Sequence, residues 1–263
     1  MENKIILKKP PWLKKRLPPF EDLAKVKSIL DATELHTVCE EARCPNLGEC
    51  FSNGTATILI LGRICTRNCG FCAVEHGVAA PPDEAEPERV AQAVKKMGLQ
   101  YVVITSVTRD DLIDGGASSF VRAIQAIRSL DRKIKIEVLV PDFRGELSPL
   151  TMVLNEGPDV LNHNVETIPR LYAEVRPQGD YERSLNLLKR SKDNHPYILT
   201  KSGLMLGLGE IEEEVIELLK DLRKVRCDFL TIGQYLQPRG DRLPVVRYIP
   251  PEEFEEYKKI GKE

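Results

Sequence analysis

Six of the seven cysteines in this 263-residue chain fall into two groups of three. Cys39, Cys44 and Cys50 lie in "CEEARCPNLGEC", and Cys65, Cys69 and Cys72 lie in "CTRNCGFC". Thiolates are soft ligands, suited to zinc, copper(I) and iron–sulfur clusters. Structural zinc and common ferredoxin clusters close with four ligands. Three thiolates on a four-iron cluster leave one iron with an open position, and an open position marks a catalytic rather than a structural metal. The Cys-x3-Cys-x2-Cys spacing of the second group, with Gly70 permitting a tight turn, suits such a cluster. The alternatives are a zinc site completed by a fourth ligand such as His76, or disulfides. A reducing compartment disfavours disulfides.

The rest of the composition bounds the function. At 42% hydrophobic and 30% charged residues, the chain reads as globular, with room for one large domain and a smaller appendage. A formal net charge of −2 gives no reason to expect nucleic acid. No apolar run approaches the ~18 residues of a membrane span, and "MENKIILKKPPW" has too short an apolar core for a signal peptide. A cytoplasmic protein with reduced thiols is expected. Lys4, Lys8, Lys9, Lys14, Lys15 and Arg16 make the start of the chain basic, with Pro10, Pro11, Pro18 and Pro19 breaking any long helix. This stretch reads as a solvated arm, or as one that docks an acidic partner.

The elements that must position the cysteines alternate along the chain. "TATILILG", "YVVITSV", "KIKIEVLVP", "DVLNHNVE", "YILTKSGLMLGLG" and "CDFLTIGQY" read as six buried strands. Between them run "EPERVAQAVKKMG", "GASSFVRAIQAIRSL", a segment over residues 148–155, "DYERSLNLLKRSK" capped by Asp180, and "EIEEEVIELLKDLRKV". Such alternation predicts right-handed βαβ units and a parallel sheet. Six strands in roughly 180 residues suit a partial (β/α)6 TIM-type barrel better than a full eight-fold one, which takes ~250. Residues 1–54 then form an N-terminal extension carrying the first triplet, and 55–263 the barrel. Cys65, Cys69 and Cys72 follow the first strand at its carboxyl end, where barrels of this kind place their chemistry.

The strand-then-triplet arrangement resembles the radical S-adenosylmethionine superfamily. There the open iron chelates S-adenosylmethionine, and one electron cleaves the sulfonium to a 5′-deoxyadenosyl radical. "CEEARCPNLGEC" resembles the auxiliary-cluster motif of the lipoyl synthase family. The likeness continues through "TSVTRDDLIDGG", "LNHNVETIPRLY", "VRPQGDYERSL", "TKSGLMLGLGE" and "TIGQYLQP", over nearly the whole chain. The resemblance implies two [4Fe-4S] clusters and insertion of sulfur at C6 and C8 of an octanoyl-lysine. Cys65, Cys69 and Cys72 would hold the radical-generating cluster, and Cys39, Cys44 and Cys50 the cluster that donates sulfur. Radical chemistry suits this substrate, because an unactivated methylene has no acidic proton for a general base to remove. The implied partners are octanoylated lipoyl carrier domains, namely the glycine cleavage H protein and the E2 of 2-oxoacid dehydrogenases. A low-potential donor such as ferredoxin or flavodoxin is also implied, with no nucleic acid and no membrane.

Several polar residues are expected to meet S-adenosylmethionine. Asn162, Asn164 and Glu166 alternate along one face of an apparent strand. A polar face inside a barrel needs a ligand to pair its groups; the alternative is a polar edge facing solvent. By resemblance this face meets the ribose or methionine moiety. Thr105, Ser106 and Arg109 end the second strand, where the superfamily contacts the methionine amino group. Arg176 and Lys201 are placed to neutralise carboxylates at the rim, or to form exposed ion pairs. "GLGE" lacks the Gly-Lys-Ser/Thr of a phosphate loop. Cys227 reads as a buried core cysteine, and His36 as a packing residue near Cys39.

The chain departs from the family pattern in three places. Phe51 replaces a common Trp, and Arg242 stands where a His is expected and takes no catalytic role. The family closes with an Arg-Ser-Ser-Tyr segment whose serine ligates the auxiliary cluster, whereas this sequence stops at "YKKIGKE". An incompletely ligated auxiliary cluster is therefore expected, unless His36, Glu40 or Glu41 completes it. Competing functions are a biotin synthase-like sulfurtransferase and a catalytically silent metal-binding module.

Overall fold

The computed structural model describes residues 8–14, 20–44, 46–52 and 56–262. The expected basic arm therefore falls partly outside the described residues, and so does Thr55, the expected first residue of the first barrel strand. The strands are β1 (His36–Thr37), β2 (Thr57–Ile60), β3 (Ile64–Cys65), β4 (Glu75–His76), β5 (Tyr101–Ser106), β6 (Lys135–Leu139), β7 (Val160–Asn162), β8 (Leu199–Leu206) and β9 (Phe229–Gln234). Seven form one sheet in the order β1-β2-β5-β6-β7-β8-β9, and β3 and β4 form a separate pair. From β2 to β9 every neighbour is parallel, as the expected partial barrel requires.

The helices are α1 (Phe20–Ala32), α2 (Val38–Glu41), α3 (Leu47–Ser52), α4 (Glu86–Met97), α5 (Ala117–Leu130), α6 (Leu147–Asn155), α7 (Tyr172–Val175), α8 (Tyr181–Asn194), α9 (Glu212–Lys224) and α10 (Pro251–Ile260). Local signals set their ends. Gly98 takes the left-handed conformation (φ 65°) that stops α4. The Asp180 carboxylate accepts the Arg183 amide at 2.7 Å and starts α8.

Alternation sorts the two sheet faces. Ile58, Ile104, Ile136, Val138 and Leu161 are fully buried and pack with Phe120, Ile124 and Ile127 of α5 in one core. Leu204 and Leu206 pack with Val215, Leu218 and Leu222 of α9 in a second. The residues between them, including Leu59, Thr105, Glu137, Asn162 and Lys201, therefore face the barrel interior.

One expectation needs correction, and the N-terminal extension carries one element beyond those expected. The strand expected over 159–166 ends at Asn162; beyond it only Glu166 bridges to Leu204, and Glu166 has φ 66°. The backbone there bulges away from β8: the His163 amide still donates to the Lys201 carbonyl, but the Val165 amide turns to the Ser202 hydroxyl before Glu166 rejoins Gly203 and Met205. The N-terminal extension adds a strand to the barrel sheet, because β1 pairs antiparallel with β2 (His36 opposite Leu59, Thr37 opposite Ile58).

Candidate active site

Both cysteine triplets are attached to β2. Cys39 lies in α2, directly after β1, and its buried thiol receives a hydrogen bond from the Thr57 backbone at the start of β2. Cys44 and Cys50 are close enough for their charges to act on it. Burial raises the Cys39 thiol above its ordinary value, and these neighbours raise it further. The second triplet follows β2. Burial pushes Cys69 up to about 12 and Cys72 up to about 11, and each also feels the charge of Cys65. None of the cysteines is in a disulfide.

The second triplet suits a cluster. The backbone N–H groups of Arg67 and Thr108 point at the Cys65 sulfur, at 3.4 and 3.3 Å, as donors for a thiolate. Buried thiols with raised pKa values release their protons when a metal neutralises them. Among the described residues, no three His, Cys, Asp or Glu side chains are gathered as for a single metal ion. In a four-iron cluster each thiolate takes its own iron, so such gathering is not needed.

The loop carrying Cys65, Cys69 and Cys72 is anchored on all sides. The Arg67 guanidinium pairs with Asp110 at 2.6 and 2.9 Å and with Asp142 at 3.0 and 2.7 Å. The Thr66 hydroxyl donates to the Thr108 carbonyl and accepts the Asp110 amide. The Gly70 amide donates to the Val175 carbonyl, and the Leu243 amide to the Gly70 carbonyl. A Cβ on Gly70 would lie 2.7 Å from the Glu174 carbonyl oxygen, so only glycine fits without displacement. Arg242, expected to have no catalytic role, is buried and donates to the Asn68 side chain at 2.7 Å, pinning the same loop. Below the loop, Glu86 of α4 accepts the Leu61 amide at 2.8 Å and holds Leu61 at φ 67°.

The expected polar contacts divide. Glu166 and Arg176 lie near enough to Cys69 for their charges to act on it. Arg176 is buried, donates to the Asn164 carbonyl at 2.9 Å and stacks over the Tyr172 ring. Glu166 is hydrogen-bonded to Asn164, and burial raises its carboxyl. The Asn162 amide oxygen, the Ser106 hydroxyl and one Arg109 nitrogen are buried with no partner, so this face is no solvent edge. Arg109 spends its other donors on Asp111, at 2.9 and 2.8 Å. Thr105 is committed to the Leu139 carbonyl at 2.8 Å. Lys201 pairs with buried Glu137 at 2.9 Å inside the barrel rather than standing free at the rim.

His36 pairs with Glu41 at 3.3 Å, while the Thr37 hydroxyl caps α2 by accepting the Glu40 amide and donates to the Glu40 carboxylate. Cys227 is half-buried, with its sulfur 3.2 Å from the Phe229 carbonyl oxygen, and packs against the second core. The residues missed from sequence are Arg67, Asp110, Asp142, Glu137 and Tyr101. An arginine inside a ligand loop and a glutamate inside the apolar run "KIEVL" were the available signals.

Three partly buried cysteines follow the first strand of a parallel partial barrel, and the chain belongs to the radical S-adenosylmethionine superfamily. The Radical SAM superfamily model matches residues 59–222, and the model for the N-terminal domain of lipoyl synthase matches residues 1–44. The chain is 56% identical over 255 residues to lipoyl synthase of Caldanaerobacter subterraneus subsp. tengcongensis, covering 97% of this chain and 89% of that one. It is 54% identical over 264 residues to lipoyl synthase of Shewanella denitrificans, covering 100% and 82%. The chain belongs to the lipoyl synthase family. Among solved structures, methylornithine synthase superposes with a TM-score of 0.60 at 13% identity, covering 94% of this chain and 70% of the other. Streptococcus suis SuiB bound to S-adenosylmethionine gives 0.57 at 15%, covering 94% and 63%. Both share the fold.

Proposed function

We propose that this chain completes lipoyl groups in place, inserting sulfur at C6 and C8 of an octanoyl-lysine, with its two cysteine triplets in different roles. Membership of the family at 53–56% identity supports lipoyl synthase activity, with one [4Fe-4S] cluster and S-adenosylmethionine as cofactors. An octanoylated carrier and a reductant go with that activity. Cys65, Cys69 and Cys72 hold the first cluster, and Cys39, Cys44 and Cys50 a second. Together with the sulfonium, these supply the radical and the sulfur. Asn162, Asn164, Glu166 and Arg176 bind and orient S-adenosylmethionine, and Ser106 and Arg109 offer it further unpaired polar atoms.

The observation that carries this division is the attachment of both triplets to one strand, Cys39 at the start of β2 and Cys65 beyond its end. The proposed carriers are the glycine cleavage H protein and 2-oxoacid dehydrogenase E2 domains, and the proposed donor is ferredoxin or flavodoxin, all in the cytoplasm. Among the described residues, no helix is long and apolar enough to cross a membrane. Alanine at Cys65, Cys69 or Cys72 is expected to abolish S-adenosylmethionine cleavage. Alanine at Cys39, Cys44 or Cys50 is expected to leave 5′-deoxyadenosine formation measurable with no lipoyl product. Normal lipoyl yield from the second set would sink the sulfur-donor assignment.

A further inference from the structure

Glu137 is a charged residue on the interior face of β6, only 2% exposed. Its carboxylate collects three donors from three other strands. Lys201 of β8 donates to Oε1 at 2.9 Å and to Oε2 at 3.2 Å. The Tyr101 hydroxyl of β5 donates to Oε2 at 2.5 Å. The side-chain amide of Asn162, at the end of β7, donates to Oε1 at 2.9 Å. A carboxylate so bonded only accepts, so the amide atom facing it must be the nitrogen. The Asn162 amide is thereby held one way round. Its oxygen is turned away from Glu137, and is buried with no donor. A buried acceptor left unpaired costs free energy that a ligand's donor recovers.

We infer that Glu137, held by Lys201 and Tyr101, is a positioning residue: it locks the Asn162 amide so that its oxygen is presented as an acceptor to a hydroxyl or ammonium group of S-adenosylmethionine. The inference rests on the proposed placement of S-adenosylmethionine against Asn162. The ion pair to Lys201 thus serves the cofactor through a neighbour, and touches nothing that reacts. The arrangement also accounts for a buried glutamate, paired with a half-buried lysine, that stability alone does not call for, since such pairs roughly break even against apolar replacements.

The test is a double-mutant cycle read as the S-adenosylmethionine dissociation constant of the reconstituted protein, with iron content and melting temperature measured in parallel. Asn162→Ala and Glu137→Gln should each weaken binding about tenfold, and the double variant no further, because Glu137 acts only through Asn162. Tyr101→Phe leaves the carboxylate and its main partners in place. It should weaken binding about threefold in the parent and not at all in the Asn162→Ala background, which keeps the test open if Glu137→Gln fails to fold. If Asn162→Ala weakens binding but folded Glu137→Gln does not, or if their effects multiply, the positioning role is overturned while the placement of S-adenosylmethionine stands. If Asn162→Ala leaves binding unchanged, the placement itself is wrong and the inference falls with it.

Discussion

The Arg67 guanidinium, between the first two cysteines of the mouth loop, forms a two-point fork with the Asp142 carboxylate just past β6, at 3.0 and 2.7 Å. Asp142 is 1% exposed. Burial alone would raise its carboxyl; Arg67 instead holds it well below the usual carboxylate range. Arg183 adds a longer contact at 3.2 Å. The ion pair therefore ties the cysteine loop to the barrel wall through a buried charge on each side.

Removing one partner of such a pair is costly. Arg67→Ala is expected to destabilise the fold by about 3–5 kcal/mol, because Asp142 and Asp110 are left with too few donors. Arg67→Lys keeps the charge without the fork and should recover about half of that loss. Urea unfolding of the three proteins checks this, and equal midpoints would contradict it.

Gly70→Ala tests the loop from the opposite side. The added methyl meets the Glu174 carbonyl oxygen at 2.7 Å and Leu243 at 2.9 Å. The loop must shift, while the helices and strands beneath it are untouched. Iron after reconstitution should fall by about four atoms per chain, the complement of one [4Fe-4S] cluster. The melting temperature should change little. Full iron content would show that the loop accommodates the methyl group.

Acid should weaken the fold through His163. Its Nδ1 lies 2.9 Å from the Val140 carbonyl oxygen, and Nε2 is 3.1 Å from the Ser184 hydroxyl. A carbonyl only accepts, so Nδ1 carries the proton of a neutral ring. Burial, then the Arg176 charge, lowers its pKa from 6.5 to about 4. Between those values the unfolded chain binds a proton that the folded chain does not, so stability falls as pH drops through that window. The loss reaches about 3 kcal/mol at most. Urea midpoints between pH 7 and pH 4.5 should show the slope, and His163→Gln should reduce it.

The substrate should be usable only when attached to its carrier. A free acyl chain gives the site no handle for orienting a flexible methylene against two cofactors, and positioning is worth several kcal/mol. Octanoyl-lysyl carrier protein is expected to turn over at least about a hundred times faster than free octanoate. Comparable rates would refute this.

Much of the fold was legible because it rests on local pattern. The strand–helix alternation, the Gly98 stop and the Asp180 cap are each signalled within a few residues. The two cysteine triplets are a signal of the same local kind, each a spacing within a dozen residues. The network around them was not legible. Arg67 meets Asp110 and Asp142 across 43 and 75 residues, and Lys201 meets Glu137 across 64, and nothing in either neighbourhood names its partner. The end of β7 was misjudged because polar alternation looks the same whether it continues a ladder or leaves one. β1 was missed because a two-residue strand carries no period at all.

Strand β2 is four residues long, with one triplet tethered to its first residue through Cys39 and the other following its last. Four extended residues span about 13 Å, and a paired strand neither stretches nor shortens appreciably. β2 thus behaves as a fixed gauge between the place where a radical would be made and the place where sulfur would be stored. If the first triplet holds the sulfur-donating cluster as proposed, carbons C6 and C8 must come to it in turn, each to take a different sulfur atom. With the gauge rigid, the travel between the first insertion and the second falls to the acyl chain and the lysyl arm that carries it.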